Sequence, residues 1–155
     1  MIFVLFQKLV FLGAIGVLLE NVFTGLWSLY RRHWKLTTSS YLYMWPIYGV
    51  AGLFLDAIRQ SLDWPFWLRA FIYVPLIYGV EALSGVLISR LTARLQQWFG
   101  GSGGGVVIWE YEKSRWSPMG LVNFGYLPFW FALALGFDWI AAAVQKVAVF
   151  VGTQV

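Results

Sequence analysis

The run Leu9-Val-Phe-Leu-Gly-Ala-Ile-Gly-Val-Leu-Leu-Glu20-Asn-Val-Phe-Thr-Gly-Leu-Trp-Ser-Leu-Tyr30 decides the fold. It carries one carboxylate and no basic residue over a length that suffices for a membrane-crossing helix, which needs about 20 residues. It also lacks the alternation of apolar and polar residues that marks a barrel strand. Arg31, Arg32, His33 and Lys35 follow at once, a basic boundary suited to lipid headgroups.

Three similar stretches lie further along, at residues 41–57, 70–89 and 120–143. With residues 9–30 they predict an all-α fold: a polytopic integral membrane protein of one domain, 1–155, built as a four-helix transmembrane bundle. Prolines 46, 75 and 128 fall inside three of the spans and predict kinked helices. Met1 to Lys8 reads as interfacial, with no basic region before the apolar residues and no small-residue cleavage site after them, so no cleaved signal peptide is expected.

Composition agrees. Of 155 residues 60% are hydrophobic and 12% charged, against about 25% charged in an ordinary soluble domain, so lipid is the expected solvent. The chain has no cysteine and a single histidine, which excludes disulfide frameworks, thiolate metal centres and two-histidine zinc motifs. No metal and no cofactor are expected. The net charge is +4, but the basic residues stand singly or in pairs between apolar runs, a membrane-topology pattern and not a nucleic-acid one.

The positive charges also set an orientation. Arg31, Arg32 and Lys35 follow the first span, and Arg90, Arg94, Lys113 and Arg115 follow the third, which makes seven on one side. Lys8, Arg59, Arg69 and Lys146 make four on the other. The richer side is expected in the cytoplasm, with both termini non-cytoplasmic.

Two connecting stretches carry their own readings. Arg90 to Phe99 places Leu91, Leu95 and Trp98 on one helical face, either a segment lying at the headgroups or an overrun of the third span. Gly100-Gly-Ser-Gly-Gly-Gly105 reads as a mobile connector. It is not a phosphate loop, because Val106 and Val107 stand where a Lys and a Ser or Thr would be needed, so the chain encodes no ATPase motif.

The candidate functional residues are the acids inside apolar spans. Glu20 and Glu81 each lie mid-span, where an ionised carboxylate is costly and is expected to face the bundle interior, to be protonated or to be paired. Gly13, Gly16, Glu20, Thr24 and Trp27 recur at helical spacing, as do Trp45, Gly49, Gly52 and Asp56, and Glu81, Gly85 and Ser89. Small residues so spaced let helix backbones approach. One reading makes Glu20, Glu81 and Asp56 an intramembrane polar site for an ion, a proton or a headgroup. The other makes the acids hydrogen-bond partners of Tyr48, Tyr78, Asn123 or Trp130, with Asp56 nearer a structural role beside Arg59.

The ordered set Glu20-Asn-Val-Phe-Thr24-Gly-Leu-Trp27, Trp34-Lys35, Trp45-Pro-Ile-Tyr48-Gly49, Asp56, Glu81 with Gly85, Trp109-Glu-Tyr111 and Pro118-Met-Gly120 resembles the bacterial membrane family of type IV ABC-transporter permease-like proteins. The animal transmembrane protein 229 family looks like a relative. The resemblance covers about residues 17–130, places Glu20, Trp45, Tyr48, Gly49, Glu81, Gly85, Trp109 and Tyr111 on positions the family shares, and implies a bacterial inner membrane location and a permease-like function. The expected polar site takes in Glu20, Glu81, Trp45, Tyr48, Trp109 and Tyr111, with Thr24, Asp56 and Asn123 secondary. A permease of that type works with a separate ATPase subunit.

Membrane lipids, a homo-oligomer or a separate subunit are the expected partners, and nucleic acid is not. The rival functions are a membrane-embedded enzyme acting on a lipid or amphiphile, with one of the glutamates as general acid or base, and a non-catalytic scaffold or sensor.

Overall fold

The computed structural model describes residues 2–32, 34–35, 38, 40–101, 104–107, 114–117 and 120–153. Among the described residues the regular structure is helical, with no strand. Four α-helices follow in order: α1, Ile2–Tyr30; α2, Met44–Ser61; α3, Phe66–Trp98; and α4, Leu127–Gly152, entered through a 3-10 turn at Phe124–Tyr126. Helices α1, α3 and α4 with its leading turn are long and apolar enough to cross a membrane. Helix α2 is about 27 Å long at 1.5 Å per residue and carries Asp56, Arg59 and Gln60 in its last two turns. It falls outside that class.

The helices outrun the apolar stretches seen in sequence. Helix α1 starts at Ile2 and passes unbroken through Gln7 and Lys8, both buried. Helix α3 continues past Ser89 to Trp98, so Arg90 to Trp98 is an overrun of the third span and not a separate element. Helix α4 begins only at Leu127, because Gly120 takes a left-handed φ of 70° and residues 124–126 form the 3-10 turn. It then runs through Gln145 and Lys146, neither of which breaks a helix. Of the prolines, Pro46 and Pro128 lie in first turns, where the missing N–H would have had no helical acceptor. Pro75 alone is interior, and it leaves the Phe71 carbonyl without its helical donor.

The Gly-rich stretch is not a free connector at its described positions. Gly100 adopts φ 78° and donates to the Gln97 carbonyl at 3.2 Å, while Gly101 donates to the Gln96 carbonyl at 2.7 Å. This pair of bonds is a Schellman cap that satisfies the last carbonyls of α3. Beyond Ser102 and Gly103, which lie outside the described residues, the chain returns along the same helix. A Cβ on Gly105 would collide with the Ser89 carbonyl, and the Val106 N–H donates to Thr92 Oγ1 at 2.8 Å.

Two compact units are distinguished. One contains Met1–Asp63 with Phe137–Val155, and the other Trp64–Gly136. In the first, Leu12, Met44, Leu55, Ala141, Val144 and Ala148 are buried. In the second, Ala70, Tyr73, Val74, Tyr78 and Ala134 are buried. Only 22% of the most apolar window of each long helix is buried. Much of the remaining apolar surface is exposed, including Leu18, Val22, Leu26, Phe71, Leu83, Leu87, Val147 and Phe150, as expected for helices solvated by lipid.

Candidate functional site

The site in the first unit rests on the packing of α1 against α2. Residue pairs across the contact run in opposite directions: Lys8 meets Asp56, Leu12 lies on Gly52 and Tyr48 on Gly16, and beside this row Leu9 lies on Gly49 and Trp45 on Gly13. The helices are therefore antiparallel, each lending two glycines to the other's large side chains. A Cβ on Gly13 would fall 2.5 Å from the Trp45 carbonyl oxygen, and one on Gly49 would fall 2.6 Å from that of Leu9. Backbone meets backbone at both points, the close approach for which small residues at helical spacing are suited. The Trp45 indole N–H donates to the Val10 carbonyl at 3.2 Å, so its polar atom is committed to holding α1.

This packing brings Tyr48 beside Glu20. The Ser40 hydroxyl donates to Glu20 Oε2 at 2.8 Å, and the Tyr48 hydroxyl hydrogen-bonds the same carboxylate. Glu20 is half-buried and Ser40 is exposed, so the acid stands on the side of the loop that enters α2. It is not at the centre of its helix: with α1 starting at Ile2, Glu20 is displaced about 6 Å towards that loop. Thr24 does not join the cluster. Its hydroxyl donates to the backbone carbonyls of Glu20 and Asn21, at 3.0 and 3.2 Å.

Asp56 belongs to a second cluster, at the other end of the hairpin. It is 1% exposed and accepts from Lys8 Nζ, from Arg59 at 2.8 Å and from Gln60 Nε2 at 2.8 Å. Two cations thus surround one carboxylate, and an ion pair to Lys8 bridges α1 and α2. Sequence reasoning placed Asp56 beside Arg59 but missed Lys8, read there as a terminal charge. The signal available was its own isolation: a lysine inside a helix apolar on every side needs a counter-charge.

In the second unit, Glu81 is 5% exposed on α3, and Tyr78 lies one turn before it. The Tyr78 hydroxyl donates to the Asn123 carbonyl at 3.3 Å, and its ring meets Phe124 edge-on at 5.2 Å. The Asn123 side chain accepts the Gly125 N–H at 2.9 Å, capping the 3-10 turn, so both its polar roles here are architectural. The Trp130 indole N–H is buried without a hydrogen-bond acceptor among the described residues.

Glu20 and Glu81 thus fall in different units. Trp109 and Tyr111, expected at the same site, lie outside the described residues, as does His33. Among the described residues no group of three His, Cys, Asp or Glu side chains could hold a metal ion. Outside the long helices, burial together with the neighbouring Tyr41 pushes the Tyr43 hydroxyl above the ordinary tyrosine range.

Glu20 with Ser40 and Tyr48 is the arrangement with chemistry to offer. An ionised carboxylate has about four lone-pair positions, and two hydroxyl donors leave the others for a cationic or hydrogen-bonding guest. No protein-family model, no curated protein and no solved structure matches the chain.

Proposed function

We propose that the protein is a small permease-like integral membrane protein of a bacterial inner membrane, whose α1–α2 hairpin presents Glu20 as the carboxylate that binds a proton or a small cation. In this reading α2 completes a four-helix membrane bundle despite its polar end, because Asp56 is neutralised by Lys8 and Arg59, and both termini face away from the cytoplasm. The observation that supports it is the half-buried Glu20 carboxylate, held by two hydroxyls and set on the loop side of the hairpin. A purely structural acid would be closed in by its partners. With so little of each long helix covered within the chain, lipids and a second copy or separate subunit complete the assembly.

The test is reconstitution into liposomes loaded with a pH-sensitive dye, comparing the wild type with Glu20→Gln under an imposed proton or potassium gradient. Glu→Gln preserves shape while removing the charge. Flux in the wild type, reduced at least tenfold in Glu20→Gln with unchanged helicity, is the expected result. Equal flux, or none in either protein, would overturn the reading in favour of a scaffold.

A further inference from the structure

The outer face of α3 changes character along its length. Leu76, Leu83, Leu87, Arg90, Arg94 and Trp98 succeed one another at steps of seven, four, three, four and four residues, which keeps them on one helical face about 80° wide. All six are exposed. The leucines span 11 residues, or about 16 Å, close to half the roughly 30 Å hydrocarbon core of a bilayer. Immediately beyond them stand two arginines one turn apart, and one turn further stands Trp98, 85% exposed. Neither arginine makes an ion pair among the described residues. The face bearing Ser89 and Thr92 is occupied by the returning chain at Gly105 and Val106. Among the described residues nothing covers the arginine face.

We propose that this stripe is a binding site for one anionic phospholipid, with its phosphate held between Arg90 and Arg94 and an acyl chain lying along Leu87, Leu83 and Leu76. The dimensions fit: the leucines cover one leaflet's hydrocarbon, and the guanidinium pair stands where that leaflet's phosphates lie. The chemistry fits as well, since arginine forms paired charge-assisted hydrogen bonds to phosphate oxygens and tryptophan favours the headgroup level. The charge count puts these arginines on the cytoplasmic side, the leaflet in which anionic lipids attract juxtamembrane basic residues. The inference depends on α3 crossing a bilayer and is independent of what Glu20 binds.

The experiment uses the full chain purified in detergent, titrated separately with phosphatidylglycerol, phosphatidylcholine and inorganic phosphate, and read by native mass spectrometry and thermal unfolding. Phosphatidylglycerol should bind at least tenfold more tightly than phosphatidylcholine and raise the unfolding temperature. Phosphate alone should do neither, because it lacks the acyl chain. Arg90→Gln with Arg94→Gln should abolish the preference while leaving lipid-free stability unchanged, since both side chains are exposed. Arg90→Lys with Arg94→Lys should retain part of it, and this pair carries the test should the glutamine variant fail to fold. Equal binding of the two lipids by the wild type, preference surviving in the glutamine variant, or stabilisation by phosphate alone would overturn the proposal.

Discussion

Lys8 of α1 and Asp56 of α2 form an ion pair across the hairpin, with 8% and 1% of their side chains exposed. In water such a pair contributes little. Between apolar helices it is the condition on which two charged residues can be buried at all, since a buried charge left alone costs several kcal/mol.

Lys8→Met should therefore destabilise the hairpin by about 2–4 kcal/mol, somewhat less than a buried pair broken outright, because Arg59 and Gln60 still serve Asp56. Asp56→Leu should cost more, leaving two cations facing each other. The double variant Lys8→Met with Asp56→Leu should recover part of the loss. Unfolding midpoints in detergent, followed by helicity, give the cycle. Additive losses would show that the two residues do not act as a pair.

Glycines on the α1–α2 contact should differ sharply from glycines elsewhere. Gly13→Ala and Gly49→Ala each push a methyl group against a carbonyl of the opposite backbone, at an expected cost of about 1–3 kcal/mol. Gly79→Ala and Gly136→Ala meet nothing within 4 Å and should be neutral or stabilising by up to about 1 kcal/mol. The same unfolding assay separates the two classes, and similar effects in all four variants would rule out the close approach.

Within the Gly-rich stretch the effects should be equally uneven. Gly100→Ala strains a left-handed cap by about 1 kcal/mol, and Gly105→Ala drives a methyl group onto the Ser89 carbonyl. Gly104→Ala has open space and should be silent. A freely mobile connector would tolerate all three, so thermal unfolding of the set distinguishes a docked return from a linker.

Because the chain has no cysteine, single cysteines at Trp34, Asp63, Val107 and Thr153 report topology without background. If α2 crosses the membrane as proposed, positions 63 and 153 label from outside intact cells while 34 and 107 do not. Positions 34 and 63 labelling from the same side would show that α2 does not cross.

The parts of this architecture that were readable in sequence are those set by local periodicity. The apolar lengths located α1, α3 and α4, and the spacing of Gly13 and Gly16, and of Gly49 and Gly52, marked the faces that meet. What escaped were facts about register. Lys8 and Asp56 are 48 residues apart, and nothing in either helix alone reveals that an antiparallel pairing sets them at the same level. The Schellman cap was legible in principle, since a glycine directly after a helical pattern is its usual C-terminal signal. Six small residues in a row concealed it, because their composition suggests a linker. Counted from Leu9, Glu20 stands at mid-span, but a partner for Lys8 lets α1 extend a further two turns and moves the helix centre back to Gly16.

The separation of 48 positions between Lys8 and Asp56 also fixes an order of events during synthesis. The lysine leaves the ribosome first, and α1 reaches the bilayer with a cation whose counter-charge has not yet been made. If α2 crosses the membrane as proposed, it arrives with a carboxylate that suits hydrocarbon only when α1 is already alongside. Each helix is an incomplete insertion substrate, and together they are a competent one. On the proposed four-helix reading the hairpin is therefore the smallest piece of this chain that the membrane can accept as finished, and its closure waits on translation of α2.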